Sequence, residues 1–191
     1  MINQAVDIIR QGGVVVYPTD SCYAIGCGLG EKSAVERICR LRQLPDKHNF
    51  ALLCRDLSEL GSYANVDNLT FRTLKAATPG PFTFILKGSA QVPKLMMHPK
   101  RKTMGLRVPD NAIAQALLEE LGQPLLTSTL QLPDSDEPEV DPEWIKERVA
   151  GQVDLIIDGG VGDSEPTTVI DLVEGDPQII RQGKGDFSAF I

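Results

Sequence analysis

Apolar residues recur at spacings of three and four positions in several stretches of the chain, a period that predicts amphipathic helices. In the first stretch Ile2, Val6 and Ile9 share one face, and Gly12 and Gly13 follow. Glycine at this place commonly ends a helix. The predicted helices cover residues 2–11, 33–41, 67–77, 111–121 and 142–150.

Short apolar runs rich in β-branched residues lie between these stretches and predict strands. The predicted strands are 14–17, 50–54, 83–86, 106–108, 125–128, 153–157, 168–172 and 178–181. Strands that alternate with helices predict the α/β class, with some antiparallel pairing near the strand-rich C-terminal end. The acidic stretch 132–141 has no core pattern, so it predicts a surface loop.

The chain has 191 residues, of which 42% are hydrophobic, which is enough to bury one sizeable core. We therefore expect a single domain over residues 1–191. The N-terminal segment lacks the pattern of a signal peptide, and no run of 18 apolar residues is free of charges. These features predict a cytoplasmic protein with no membrane partner.

The cysteines at 22, 27, 39 and 54 show no C-x-x-C spacing, and a domain of this size does not need disulfides. We expect them to be reduced. The two histidines, His48 and His98, form no familiar zinc pattern with these cysteines, so no metal site is predicted. A Ser-His-Asp arrangement is not visible either.

Charge is divided unevenly along the chain. Residues 1–107 contain 15 Lys and Arg against 8 Asp and Glu, a net +7, and residues 108–191 contain 4 against 18, a net −14. This asymmetry predicts one face that attracts anions and another that acidic residues keep soluble. The alternative is that the basic residues are scattered over a solvated surface.

Several cations lie at the ends of predicted elements. Arg40 and Arg42 end the second helix, Lys47 follows it, and Arg107 and Arg181 lie at strand ends. Because the planar arginine fork suits phosphate, these side chains can converge on a polyphosphate. The alternative is a solvated helix end with unrelated arginines at the strand ends.

Two unusual stretches follow the first strand. No G-x-x-x-x-G-K-[ST] motif is present, and we interpret Gly26-x-Gly28-x-Gly30 as turn-forming rather than phosphate-binding. The stretch Y-P-T-D-S-C-Y-A-I-G-C (17–27) concentrates hydroxyls, a carboxylate and two thiols. It indicates either a simple turn at 18–21 or the lining of a site, and it leaves both readings open.

Seven short strings in order resemble one known family. They are Y-P-T-D-S-x-Y-x-x-G-C (17–27), R-x-R with a following P-D-K (40–47), P-G-P-F-T (79–83), G-L-R-V-P (105–109), T-S-T-L-Q (127–131), P-T-T-V-I-D (166–171) and R-Q-G-x-G (181–185). Together they span nearly the entire chain and resemble the YrdC/YciO family, most of all its YciO branch.

The resemblance implies a fold and an activity. The implied fold is a twisted open mixed α/β sheet flanked by helices, with a basic concave groove. The implied reaction joins L-threonine, bicarbonate and ATP into threonylcarbamoyl-AMP with release of pyrophosphate. Mg²⁺ is carried on the phosphates, and the product serves the modification of tRNA adenosine 37. The resemblance also implies binding of double-stranded RNA.

The resemblance further implies roles for individual residues. Three cations are implied to clamp phosphate during catalysis: Arg40, Arg42 and Lys47. Four residues are implied to hold the nucleotide or the substrate carboxylate: Arg107, Thr129, Gln131 and Arg181. Three are implied to line the place of threonine: Thr19, Tyr23 and Thr83.

The chain departs from the family pattern around the implied phosphate site. Arg40 replaces the lysine of a Lys-x-Arg pair, Thr129 and Gln131 replace Ser-x-Asn, and Gln43-Leu44 is an insertion. Arginine does not substitute simply for lysine at a tight phosphate contact. Two hypotheses follow: a synthase with weak or altered activity, or a non-catalytic protein in translation or ribosome assembly that binds a nucleotide or double-stranded RNA.

Overall fold

The computed structural model describes residues 1–45, 48 and 50–190. The α-helices of this part are α1 (Ile2–Arg10), α2 (Lys32–Arg42), α3 (Leu57–Tyr63), α4 (Asn68–Ala77), α5 (Ala112–Leu121) and α6 (Pro142–Arg148). The strands are β1 (Val15–Tyr17), β2 (Ala24–Gly28), β3 (Ala51–Leu53), β4 (Phe82–Lys87), β5 (Thr103–Arg107), β6 (Leu125–Thr129), β7 (Leu155–Ile156), β8 (Thr168–Asp171) and β9 (Gln178–Arg181). Short 3₁₀ turns lie at Lys94–Met96 and Ser188–Phe190.

All the described strands belong to one open sheet in the order β7-β1-β2-β6-β3-β5-β4-β8-β9. The pairs β1/β7, β3/β5 and β4/β8 are parallel, and the other neighbours are antiparallel. The sheet is therefore mixed, and its C-terminal pair β8/β9 is antiparallel. The α/β class predicted from the sequence, an open mixed sheet flanked by helices, is confirmed.

The sequence patterns miss β2 and α3 and misread two glycines. Gly26 and Gly28 lie within β2, so their interpretation as turn residues is wrong. A Cβ atom at Gly26 would lie 2.9 Å from the carbonyl oxygen of Leu126 and 3.0 Å from Tyr17 Oη. Close packing explains glycine there. Gly30, with a φ of +85°, lies in the predicted turn.

Helices cover both faces of the sheet. α1 and α5 pack on one face, where Ile9 and Leu117 meet Val15 and Leu125. α2, α3, α4 and α6 pack on the opposite face through a second apolar cluster that contains Ile38. Leu125 lies under the first helix pair, whereas the other end of β6 lines a cavity. The first face is therefore open at one end of its strands.

Side-chain caps explain where several helices begin. Asn111 Oδ1 accepts hydrogen bonds of 3.0 Å from the backbone N–H groups of Ile113 and Ala114 at the start of α5. Asp67 caps α4, and Asp141 precedes Pro142 at the start of α6. These caps satisfy N–H groups that have no partner within a helix. These caps explain why the three helices begin directly after the polar residues Asp67, Asn111 and Asp141.

Cys22, Cys27 and Cys54 are buried free thiols in this structure. Burial raises the pKa of Cys22 to about 11 and that of Cys27 to about 12. Across the described residues, none of the helices has the length and apolar content needed to cross a bilayer.

Candidate functional site

A cavity of about 730 Å³ occupies the open end of the first sheet face, and we call it the groove. Its floor crosses several strands, because Thr127, Ala51, Gly105 and Ile85 lie opposite one another on β6, β3, β5 and β4. A Cβ atom at Gly105 would lie 2.8 Å from Thr83 Cγ2 and 3.3 Å from Ala51 Cβ. Small residues at the centre therefore give the groove its depth.

Arg42 lies at one side of the groove, at the last position of α2. Its Nε donates a 3.1 Å hydrogen bond to the backbone oxygen of Gln131, and its Nη1 donates to Ser128 Oγ. Burial lowers the pKa of Arg42 below its ordinary value, but a guanidinium stays charged near neutral pH. The structure thus orients a cation toward the groove.

Arg181 lies at the opposite side, on the edge strand β9. Its Nε and Nη2 donate to the backbone oxygen of Thr167 at 3.1 and 2.8 Å. Thr167 Oγ1 also lies 2.8 Å from Thr83 Oγ1. This network places a guanidinium beside two hydroxyls, and all three residues line the groove.

Thr129 and Gln131 line the groove where β6 leads into the acidic loop. The Gln131 side-chain amide donates a 3.1 Å hydrogen bond to the backbone oxygen of Ser135. Ser135 Oγ in turn donates at 2.6 Å to the buried carboxylate of Glu139. The predicted surface loop is therefore tied to the site and forms one of its walls.

The lining of the groove carries charges of both signs. Asp136, Glu137 and Glu165 line it together with Arg42 and Arg181. The three carboxylates and Arg181 are exposed, so water screens their charges, whereas Arg42 is half-buried. Anion binding is therefore favoured most strongly near Arg42. Within the described residues, no group of three metal-ligating side chains is arranged to hold an ion.

Two of the three cations predicted to clamp phosphate, Arg40 and Lys47, are not among the residues that line the groove in the described part of the chain. Arg40 lines a neighbouring cavity of about 910 Å³, between α2 and residues 94–99. Arg40 therefore does not share the groove with Arg42, because the helix turns its side chain to another face. Lys47 lies outside the residues that the structure describes.

Arg107 is buried and does not line the groove, with 7% of its surface accessible. Its Nη2 donates to Asp20 and forms an ion pair, and its Nη1 donates to Ser21 Oγ at 3.1 Å. Its Nε is buried without a hydrogen-bond partner in the described structure. These contacts hold the turn after β1, whose residues Asp20 and Ser21 line the adjoining cavity, so in this structure Arg107 supports the site without entering the groove.

Thr19 and Tyr23 flank a second, adjoining space. Thr19 lines a cavity of about 630 Å³ that shares Glu137 and Ser164 with the groove. Thr19 Oγ1 also donates a 2.6 Å hydrogen bond to the backbone oxygen of Cys22, so the stretch forms a turn and lines a cavity. Tyr23 is buried, and its hydroxyl donates to the backbone oxygen of Gly160 at 2.7 Å; burial raises its pKa.

Sequence reasoning missed several groove residues, among them His48, Ser128 and Thr167. Ser128 and Thr167 stand inside the quoted strings 127–131 and 166–171, so the strings themselves carried the signal. His48 follows the predicted cations and was considered only as a zinc ligand or triad base. Its place beside Ser128 depends on tertiary packing and has no sequence pattern.

The fold and the groove define a class: an α/β protein whose mixed sheet carries an arginine-flanked groove. The Sua5/YciO/YrdC family model, described as "Telomere recombination", matches residues 7–183. The chain therefore belongs to the Sua5/YciO/YrdC family, as the resemblance indicated.

Individual relatives agree with this assignment. The chain is 59% identical over 191 residues to Uncharacterized protein YciO of Escherichia coli (strain K12), covering 100% of this chain and 93% of that protein. The crystal structure of E. coli YciO superposes with a TM-score of 0.94, covering 100% of this chain and 92% of that chain.

Two more distant relatives carry names that describe a ligand or an activity. A threonylcarbamoyl-AMP synthase of Vibrio vulnificus (strain YJ016) is 29% identical over 186 residues, covering 95% of this chain and 98% of that protein. The crystal structure of P. abyssi Sua5 complexed with L-threonine is 27% identical, with a TM-score of 0.86. It covers 95% of this chain but 54% of the Sua5 chain.

Proposed function

We propose that this protein is a threonylcarbamoyl-AMP synthase-like enzyme. Its substrates are L-threonine, bicarbonate and ATP, and Mg²⁺ enters on the triphosphate. Its products are threonylcarbamoyl-AMP and pyrophosphate, and the adenylate serves tRNA adenosine 37. The observation that carries the proposal is that one groove contains Arg42, Arg181, Thr83, Thr129 and Gln131, five of the residues predicted for this chemistry.

The chemistry of the lining suits the reaction. Threonine and bicarbonate form a carbamate, which is itself the nucleophile, so the protein mainly has to bring two anions together. Arg42 and Arg181 can stabilise charge on the α-phosphate and on a carboxylate, because hydrogen bonds hold both guanidinium groups in the lining and Arg42 is half-buried. The hydroxyls of Thr83 and Thr167, which lie 2.8 Å apart, add hydrogen-bonding groups to the same lining.

The proposed reaction is testable with the purified protein. We expect labelled threonine, bicarbonate, ATP and magnesium to yield threonylcarbamoyl-AMP and pyrophosphate above a blank without protein. Omitting bicarbonate is the matched control, because it removes the carbamate and should abolish both products. Absence of adenylate and pyrophosphate in the complete mixture would overturn the proposed activity.

A second candidate is a non-catalytic nucleotide-binding protein. The observation that favours it is the Gln131 side chain, which is engaged with its own loop through Ser135 rather than free in the groove. Calorimetric titration with ATP that shows binding, in a protein that forms no product, would select this candidate.

Binding of double-stranded RNA is tested separately by titrating duplex RNA at two ionic strengths. Binding dominated by phosphate contacts weakens steeply with salt. The exposed carboxylates of Asp136, Glu137 and Glu165 disfavour the groove itself as the RNA surface.

A further inference from the structure

His48 separates the groove from the neighbouring cavity. It lines both of them, as does Phe50. The two rings are in edge-to-face contact, with centroids 5.1 Å apart and an interplanar angle of 87°. This contact restricts the orientation of the imidazole, which lines both cavities. A titratable side chain is thus built into the wall of the proposed site without a role in the mechanism given above.

The hydrogen bonds around His48 favour an imidazole whose Nε2 carries no proton. Arg42 Nη1 donates to Ser128 Oγ, and a guanidinium can only donate. The Ser128 hydroxyl proton is therefore directed to another acceptor. His48 Nε2 lies 3.4 Å from Ser128 Oγ, and hydrogen bonds at catalytic sites are often long before substrate binds. The arrangement favours a neutral imidazole whose Nε2 accepts from Ser128.

Electrostatics favours the same neutral form. Burial, and to a smaller extent the Arg42 charge, lower the pKa of His48 below its ordinary value of 6.5. On the side of the neighbouring cavity the titratable or charged groups are Lys32, Glu36, Cys39, Arg40 and Lys94. On the groove side they are Asp136, Glu137, Glu165 and Arg181. At a pH above this lowered pKa, His48 is unprotonated and can accept a proton from the site.

The proposed reaction releases one proton that the site must remove. An amino acid enters as an ammonium ion, and the ammonium plus bicarbonate give a carbamate, water and one proton. The carbamate oxygen then attacks the α-phosphorus, and the bond to the β-phosphate oxygen breaks as pyrophosphate leaves. The second step is balanced without proton transfer. A proton acceptor is therefore needed for carbamate formation and not for adenylate formation.

We propose that His48, acting through Ser128, is the proton acceptor for the amino group of the amino-acid substrate. The inference rests on the proposed function. An N–H proton passes to Ser128 Oγ while the Ser128 hydroxyl proton passes to His48 Nε2. The electron pair left on nitrogen forms the N–C bond of the carbamate as the C–OH bond of bicarbonate breaks. The departing hydroxide takes the second N–H proton and leaves as water. His48 then loses its proton to water, which restores the neutral base.

The test compares His48→Asn with His98→Asn. His98 does not line the groove, and its Nδ1 accepts from the backbone N–H of Arg101 at 3.1 Å, a bond that asparagine can replace. We expect His48→Asn to lower kcat about 100-fold at pH 7, the usual size of a general-base contribution. The KM for ATP should stay unchanged, and added imidazole should restore part of the rate. His98→Asn should behave as wild type.

The pH profile and NMR give readouts that a merely structural role would not change. Wild-type kcat should fall as pH drops below 6.5, because protonation removes the base, and His48→Asn should lose that limb. In ¹⁵N NMR, Nε2 of His48 should be unprotonated at pH 7, and Ser128→Ala should shift its resonance and lower kcat.

Wild-type rate and pH profile in His48→Asn, or a protonated Nε2 in the neutral ring, would overturn the role of His48 alone. A wild-type protein that forms no adenylate would instead overturn the proposed function, and the role of His48 with it.

Discussion

Arg40 and Arg42 show how two neighbouring arginines acquire different surroundings. They stand two positions apart at the end of α2, and residues two apart on a helix do not share a face. Arg42 contacts Ser128 and the Gln131 backbone in the groove, whereas Arg40 lines the neighbouring cavity. A string that reads R-x-R therefore supplies one groove cation in the described structure.

The first residue-scale prediction concerns nucleotide affinity. Arg42→Ala should weaken ATP binding about 10- to 100-fold, because a hydrogen bond to a charged group is worth about 1.5–3 kcal/mol. Arg40→Ala is the matched control and should change the affinity less than about twofold, since an exposed charge outside the site contributes little. Calorimetric titration measures both, with thermal unfolding to verify that each variant is folded. Equal losses in the two variants would contradict the assignment of Arg42 to the site.

The second prediction concerns the buried ion pair of Arg107 and Asp20. Arg107→Ala leaves the Asp20 carboxylate, which is 10% exposed, without its cation. We expect a loss of about 3–5 kcal/mol in the free energy of unfolding. Arg101→Ala is the control: it removes an ion pair with Asp171 whose arginine is 48% exposed, and should cost about 0–1 kcal/mol. Urea unfolding that gives similar values for both variants would refute this view of Arg107.

At the scale of elements, the groove exists because helices cover only part of one sheet face. α1 and α5 pack over Leu125 and Val15. The part of this face that no helix covers is the floor of the groove. It is formed by Thr127 on β6, Ala51 on β3, Gly105 on β5 and Ile85 on β4. The loop after β6 closes one side through the Ser135 and Glu139 contact. Secondary structure elements that are distant in sequence thus meet at one site.

The floor yields a prediction about one glycine. Gly105→Ala should destabilise the protein by about 1–3 kcal/mol, the usual cost of overpacking, because its methyl group would meet Thr83 and Ala51. Gly61→Ala in α3 is the control, since a methyl group there meets nothing within 4 Å. That variant should gain about 0.5–1 kcal/mol from helix propensity. Urea unfolding measures both, and a neutral Gly105→Ala would show that the floor is not tightly packed.

At the scale of the whole molecule, the sequence predicted the layers better than the site. Periodicity located most helices and strands, and the motifs identified the family. β2 was missed because its glycines read as a turn, although they pack against Tyr17 and Leu126. The positions of Arg107 and His48 relative to the groove depend on how distant strands and a helix end meet. Spacing along one chain carries no information about that contact.

The two arginine side chains of the groove are already held before any ligand arrives. Arg42 is fixed by Ser128 and the Gln131 backbone, and Arg181 by Thr167. Fixing a long, flexible side chain on binding costs about 0.5–1.5 kcal/mol. Because folding has already restricted these rotamers, an incoming anion meets a rigid receptor. The entropic cost of ordering these two side chains is therefore borne by folding and does not weaken the binding of the anion.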